Sequence, residues 1–199
     1  MKKLSLIIIS VFLIFQTSFA STYSSDPKIF VEELVNDAIK KLSDKNIDKE
    51  EKEDFIKKIA LENVDIDALG LYTLGELRKS IDKNSLSKYQ QTFEKYFLKS
   101  LTSRLSDYSS NKFEALSAEK KSSNYTMVKS KIITSDSQPE IKIDWRIYTK
   151  NPDKPLIRDL IVEGLSLART QKEEFASILN SNNNDIEVLI AKLEEFVSN

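Results

Sequence analysis

Three carboxylates, Asp144, Asp159 and Glu163, lie in or beside the segments that read as strands. Paired carboxylates can divide general acid and base work, as in glycoside cleavage, where two flank the scissile bond at a fixed separation. These three do not suit that role. Asp144 alternates with the apolar Ile143 and Trp145, so it should face water. Glu163 precedes Gly164 at a strand end, where a hydrogen bond to the turn is its expected use. The remaining catalytic inventory is thin. The chain has no histidine and no cysteine, so Ser-His and Cys-His nucleophile pairs and His-ligated metal sites are impossible. It also has no phosphate-binding glycine loop, dinucleotide fingerprint or calcium loop. No enzymatic activity, metal or cofactor is expected.

The first twenty residues stand apart. Lys2 and Lys3 form a basic start, and Leu4 to Phe15 is a twelve-residue run interrupted only by Ser5 and Ser10. Ser18 and Ala20 then supply small residues at the −3 and −1 positions of a cleavage site. This pattern reads as a secretory signal peptide over residues 1–20, cleaved after Ala20. The run is short for a bilayer span, which needs ~20 apolar residues. The mature chain would be 21–199, read as a single domain. Without Lys2 and Lys3, 28 basic residues face 31 acidic ones, a net charge of −3. That balance does not point to nucleic acid. Lacking cysteine, an exported chain must be held by its core alone, and it offers no site for lipid attachment behind the signal. The expected compartment is a bacterial periplasm.

The elements divide the chain in two. A helical part should cover 26–108. Pro27 can occupy a first helical position behind the cap Asp26. Phe30, Leu34, Ala38 and Leu42 then recur at four, beside Val35 and Ile39. A second helix should bury Phe55, Ile56 and Ile59. A third, capped by Asp65 or Asp67, should carry Leu69, Leu74 and Leu77 with Gly70 and Gly75 inside it. The fourth and longest should run from about Leu86 to Tyr108 behind Asn84 or Ser85, with Tyr89, Phe93, Tyr96, Phe97 and Leu101 on its apolar face.

The period changes near Lys112, and a sheet should occupy 112–163. Val128 and Ile132 flank Ser130, and Ile141, Ile143, Trp145 and Ile147 alternate with Lys142, Asp144, Arg146 and Tyr148. Ser135 to Pro139 and Asn151 to Pro155 read as turns, which implies an antiparallel meander of about four strands. Leu160, Ile161 and Val162 are apolar in succession, so both faces of that strand need cover. Two C-terminal helices should fill 170–197, one opened by a capping box from Thr170 to Glu173, the other capped by Asp185. The class is α+β. The apolar surface on the helices exceeds what one sheet face needs. Periodicity leaves two arrangements open: a packed two-layer core, or helices held off the sheet around an apolar cavity.

The segment from Arg158 to Phe175 resembles the signature of the MlaC family, D-V-x-I-E-G-V-S-L-V-x-x-Y-R-x-x-F. Asp159 to Val162 matches the strand, Glu163 to Leu167 the turn, and Phe175 the closing aromatic, without a gap. Ile141, Ile143, Trp145 and Arg146 resemble the preceding strand. Val64, Asp65 and Ile66 resemble a Phe-Asp-Phe lead-in to the third helix; Leu74, Gly75 and Arg78 resemble its end. Phe93, Tyr96, Leu101, Arg104, Leu105 and Tyr108 follow the long-helix pattern. The departures are Gln171 and Lys172 for Tyr-Arg, smaller Val64 and Ile66 for the aromatics, and Leu77 for Trp.

The resemblance implies a nuclear-transport-factor-like fold with a curved sheet and helices enclosing acyl chains. It implies a periplasmic phospholipid carrier, with phospholipid as cargo. Partners would be an outer-membrane lipoprotein–porin complex and the MCE-domain subunit of an inner-membrane ABC transporter, and the carrier itself a monomer. The sheet residues then expected on the cavity wall are Val128, Ile132, Ile143, Trp145, Leu160 and Val162. The helical ones are Phe30, Leu34, Leu74, Phe93, Phe97 and Leu101. Alternation does not fix which strand face points inward, and a shift of one residue swaps the set. The other reading is an exported adaptor or chaperone with a solid core, acting by surface contacts.

Overall fold

Asp26 opens the first helix as the sequence implies: its carboxylate accepts from the backbone N–H groups of Lys28 and Ile29. The computed structural model describes residues 23–105, 112–133 and 139–199. The signal peptide and its cleavage site, Tyr108, and all but Pro139 of the expected Ser135–Pro139 turn lie outside the described residues. Among the described residues, six α-helices and five strands follow in the order α1 (Pro27–Ser43), α2 (Lys49–Asn63), α3 (Ile66–Thr73), α4 (Lys83–Leu105), β1 (Lys112–Ser122), β2 (Tyr125–Ile133), β3 (Ile141–Tyr148), β4 (Leu156–Val162), β5 (Leu165–Ser166), α5 (Leu167–Asn180) and α6 (Ile186–Ser198). The class is α+β. The sheet is antiparallel throughout and its strands lie in sequence order. Four strands are long, and the fifth is a two-residue addition after the Glu163–Gly164 turn.

Two apolar cores form. The first lies under one face of the sheet. Phe113, Ala115, Val128, Trp145, Ile147 and Ile157 pack on Phe30, Val31 and Leu34 of α1. Ser130 is buried on the same face, and its hydroxyl accepts from Trp145 Nε1 at 2.8 Å and donates to the Ile143 carbonyl at 2.9 Å. The second core is entirely helical. Tyr89 and Phe93 of α4 meet Phe175 and Leu179 of α5 and Leu189, Ile190 and Leu193 of α6, with Ile66 and Leu74 from the third-helix region. Phe93 sits at its centre, its ring 5.8 Å from Tyr89 and 6.2 Å from each of Tyr96, Phe97 and Phe175. A half-buried Val64 packs against both cores.

Several boundaries differ from the sequence reading, each for a local reason. Gly75 is not inside the third helix. It follows Leu74 with φ of 57° and lets the chain turn out, so Leu77 falls in a separate 3₁₀ turn, Leu77–Lys79. Asp82, not Asn84 or Ser85, caps α4, accepting from the N–H groups of both. The capping box at Thr170 is not used. α5 starts three residues earlier because the Ser166 hydroxyl accepts from Arg169 N–H, and Thr170 instead donates back to the Ser166 carbonyl.

At the outer edge of the sheet, β1 buries only Phe113 and Ala115; its remaining residues, including Glu119, Lys120 and Lys121, are exposed. Its pairing with β2 slips between Ala115 and Ser117 and again between Lys120 and Ser122.

Two measurements check the helical core. A Cβ at Gly70 would lie 2.9 Å from Phe93 Cδ1, and the Phe93 ring is held on several sides. Gly70→Ala should therefore lower the urea-unfolding free energy by about 1–2 kcal/mol, the helix-propensity gain notwithstanding. Burial pushes the Tyr89 hydroxyl well above its ordinary value, and the Thr73 hydrogen bond offsets this only in part. The native state thus favours neutral Tyr89. Its contribution is complete below the unfolded value of about 10 and is lost as pH rises through the folded value. Unfolding free energies measured from about pH 8 to pH 11 should fall above pH 10, and less steeply in Tyr89→Phe.

Candidate functional site

The face of the sheet that α1 leaves free borders an open cleft of about 720 Å³. This is within the ~300–1,000 Å³ range of small-ligand pockets. One wall is α3. This eight-residue helix turns Ile66, Gly70 and Thr73 into the helical core and leaves Ala68, Leu69, Leu71 and Tyr72 on the cleft side. The opposite wall is the sheet: Lys121 and Ser122 from β1, Tyr125 and Met127 from β2, Arg146 from β3 and Arg158 from β4. Arg78, in the 3₁₀ turn, and Ala168, at the start of α5, close the ends. The side chains therefore fall into an apolar group on α3, joined by Met127, and a cationic group on the sheet.

α3 is fastened to the sheet at its first turn. Asp65 N–H donates to the Ile157 carbonyl at 3.0 Å, and Val64 and Ile157 form an isolated parallel bridge. The Asp65 carboxylate does two jobs. Oδ1 caps α3 by accepting from Ala68 N–H at 3.2 Å, and Oδ2 accepts from Arg158 Nε at 2.8 Å and pairs with Nη2 at 2.6 Å. Arg158 also donates through Nη1 to the Tyr125 hydroxyl at 2.7 Å. Its guanidinium carbon lies 3.5 Å from the Tyr148 ring centroid, a cation–π contact. Burial alone would lower the Arg158 pKa, but the hydrogen bonds to Tyr125 and Asp65 outweigh it and hold the guanidinium above its ordinary value. It is a permanent charge.

The carboxylates are structural. Asp159 is buried; Oδ2 accepts from the Ser166 hydroxyl at 2.7 Å, Oδ1 accepts from Ala168 N–H at 3.0 Å, and Arg146 Nη1 lies 3.6 Å away. It joins β4 to the start of α5. Glu163, at φ of 49°, accepts from Lys142 N–H on β3, so its carboxylate extends the β3–β4 pairing, where the sequence reading expected a bond to the turn. Among the described residues no cluster of three or more acidic groups is arranged to hold a metal ion.

None of the twelve wall residues expected from the sequence borders this cleft. Phe30, Leu34, Val128, Ile132, Ile143, Trp145 and Leu160 belong to the sheet core, and Leu74, Phe93 and Phe97 to the helical core. Leu101 and Val162 are half-buried outside both. On the strands, the cleft takes the alternate residues: Met127 beside Val128, and Arg146 beside Trp145. On the helices, it takes the side of α3 turned away from Phe93. The available signal was that Tyr125, Met127, Arg146 and Tyr148 share the strand face opposite Val128 and Trp145, where amphipathic residues stand in place of a purely solvated set.

A family model described as MlaC protein matches residues 32–195 of the chain. The chain belongs to the MlaC family. No curated protein matches it. Among solved structures, the fold is similar to that of a phospholipid-binding protein from Ralstonia solanacearum, solved in complex with a phospholipid. That likeness has a TM-score of 0.69 at 16% identity, covering 84% of this chain and 94% of the other. The resemblance read from Asp159 to Phe175 is thus correct at the level of family. Within that MlaC frame, the signature Asp159 holds the α5 start, and the signature turn at Gly164 adopts φ of 83°, a conformation that favours glycine.

The fastening of α3 can be measured. Arg158 and Asp65 side chains are only 24% and 17% exposed. Removing one partner strands the other, so Arg158→Ala should lower unfolding free energy by about 2–3 kcal/mol, short of the 3–5 of a fully buried pair. Arg158→Lys should recover only part, because an ammonium cannot keep the planar fork. Urea titration of the three proteins checks both.

Proposed function

We propose that this MlaC-family protein is a periplasmic phospholipid carrier, exported by the signal peptide of residues 1–20 and cleaved after Ala20. The observation that carries the reading is the open cleft between α3 and the sheet, with Leu69, Leu71, Tyr72 and Met127 available to acyl chains. Family membership and the phospholipid held by the Ralstonia solanacearum protein support it. The cleft also favours a carrier over an adaptor acting only by surface contacts, since a solid-cored adaptor has no use for an apolar recess.

The energetics favour retention. Each methylene leaving water gains about 0.8 kcal/mol, so two chains of roughly sixteen carbons gain on the order of 25 kcal/mol as an upper figure. Tails longer than the cleft would enter along Val64, the residue shared by both cores. Of the twelve positions named from the sequence, the ten that lie in the cores, among them Leu74, Phe93, Val128, Trp145 and Leu160, would then meet lipid only once those cores open. Spontaneous release would be slow, and delivery would need a docked partner offering a continuous apolar path. The partners fitting this scheme are an outer-membrane lipoprotein–porin complex and the MCE-domain subunit of an inner-membrane ABC transporter, served by a monomeric shuttle. No catalytic step is involved.

Native mass spectrometry of the protein purified from a periplasm should show a mass excess equal to one phospholipid. In a second assay, the loaded protein mixed with empty acceptor vesicles should lose lipid slowly. A protein of bare mass that takes up no lipid from vesicles, or one that empties rapidly without a partner, would refute the carrier reading.

A further inference from the structure

An acyl tail asks for no charge, yet four cations border the cleft. Among the described residues, Arg78, Lys121, Arg146 and Arg158 line it and no carboxylate does. Arg158 is committed to Asp65 and Tyr125. The other three are held loosely. Arg146 is 42% exposed and reaches only Asp159, at 3.6 Å, a carboxylate already bonded to the Ser166 hydroxyl and Ala168 N–H. Lys121 pairs with Glu119, a mutually exposed contact that water screens. Arg78 donates to the neutral Gly75 carbonyl. Lys172 adds charge at the rim, its ammonium 5.2 Å from the Tyr72 ring centroid. Glu76 interacts electrostatically with Arg78 and Lys172 as well as pairing with Lys79 at 2.6 Å, but it is more exposed than Glu119 and water screens it likewise.

The arrangement is amphipathic in the sense a lipid needs: apolar on α3, cationic on the sheet and at the rim. We propose, resting on the carrier reading above, that the cleft selects phospholipids with a net negative head group, with the phosphate seated among Arg78, Lys121 and Arg146. Both phosphatidylglycerol and phosphatidylethanolamine offer a phosphate. Only the second brings an ammonium, which these cations repel. Guanidinium groups suit the phosphate because they bind its oxygens in a planar, bidentate way.

The test is competitive loading. Delipidated protein is incubated with vesicles of equal phosphatidylglycerol and phosphatidylethanolamine, and the bound lipids are counted by native mass spectrometry. The bound pool should be enriched in phosphatidylglycerol about fivefold, the scale of one partly exposed ion pair, and the enrichment should shrink as sodium chloride is raised. Arg146→Gln should bring the ratio towards one. Because Arg146 also faces the buried Asp159, the double variant Arg78→Gln with Lys121→Gln supplies an independent check and should act in the same direction. Excess inorganic phosphate at matched ionic strength should leave the ratio unchanged. Equal uptake of the two lipids by the wild type, an unchanged ratio in the double variant, or erasure by inorganic phosphate overturns the selectivity while leaving the carrier reading intact. Uptake of neither lipid overturns the carrier reading, and the selectivity falls with it.

Discussion

Asp65 ends one core and begins the other. Its backbone N–H joins Ile157 on the sheet, one carboxylate oxygen starts α3, and the second holds Arg158. The contacts depend on one another. The cap fixes where α3 begins, which fixes how Leu69 and Tyr72 stand over the sheet, and Arg158 fixes the distance between that helix and the strands. Charges that are partly buried and paired cost little only while both partners are present. The cleft therefore owes its width to a small polar cluster, because the apolar packing lies on either side of it rather than across it.

That division explains why a protein of this size can contain a recess without becoming unstable. Each core closes on its own. Tyr89 and Phe93 pack with α5 and α6 in one; Trp145 and Val128 pack with α1 in the other. A void within a close-packed core costs stability in proportion to its volume. A cleft between two finished cores removes no packed neighbours from either, and water can fill it when nothing else does.

The fold was legible where local chemistry and burial agree. Asp26, Asp65 and Asp185 announce helix starts, and Ile141 to Tyr148 alternates so strictly that β3 could not be anything else. Ser166 was hidden by a competing signal, since Thr170 and Glu173 offer a better-looking box. Tertiary contact decided it: Asp159 fixes Ser166 and Ala168 together, so the helix must begin there. The site was less legible than the fold. Sequence hydrophobicity ranks Trp145, Val128 and Phe93 first, and those residues go to the cores because burial rewards them most. A cleft that must be apolar when occupied and wet when empty is built from what the cores leave over: Met127, Tyr72, Leu71 and the aliphatic stems of arginines. Alternation alone treats both faces of a strand equally, and only the placement of α1 breaks the tie.

The irregular outer strand has a consequence for life among many copies. An uncovered strand edge invites another chain to add itself, and a small antiparallel sheet is especially open to that. β1 counters it twice. Its pairing slips at two places, which spoils a straight run of hydrogen bonds for a newcomer, and Glu119, Lys120 and Lys121 crowd its hairpin end. Polymerisation through the sheet is thereby discouraged even at high local concentration.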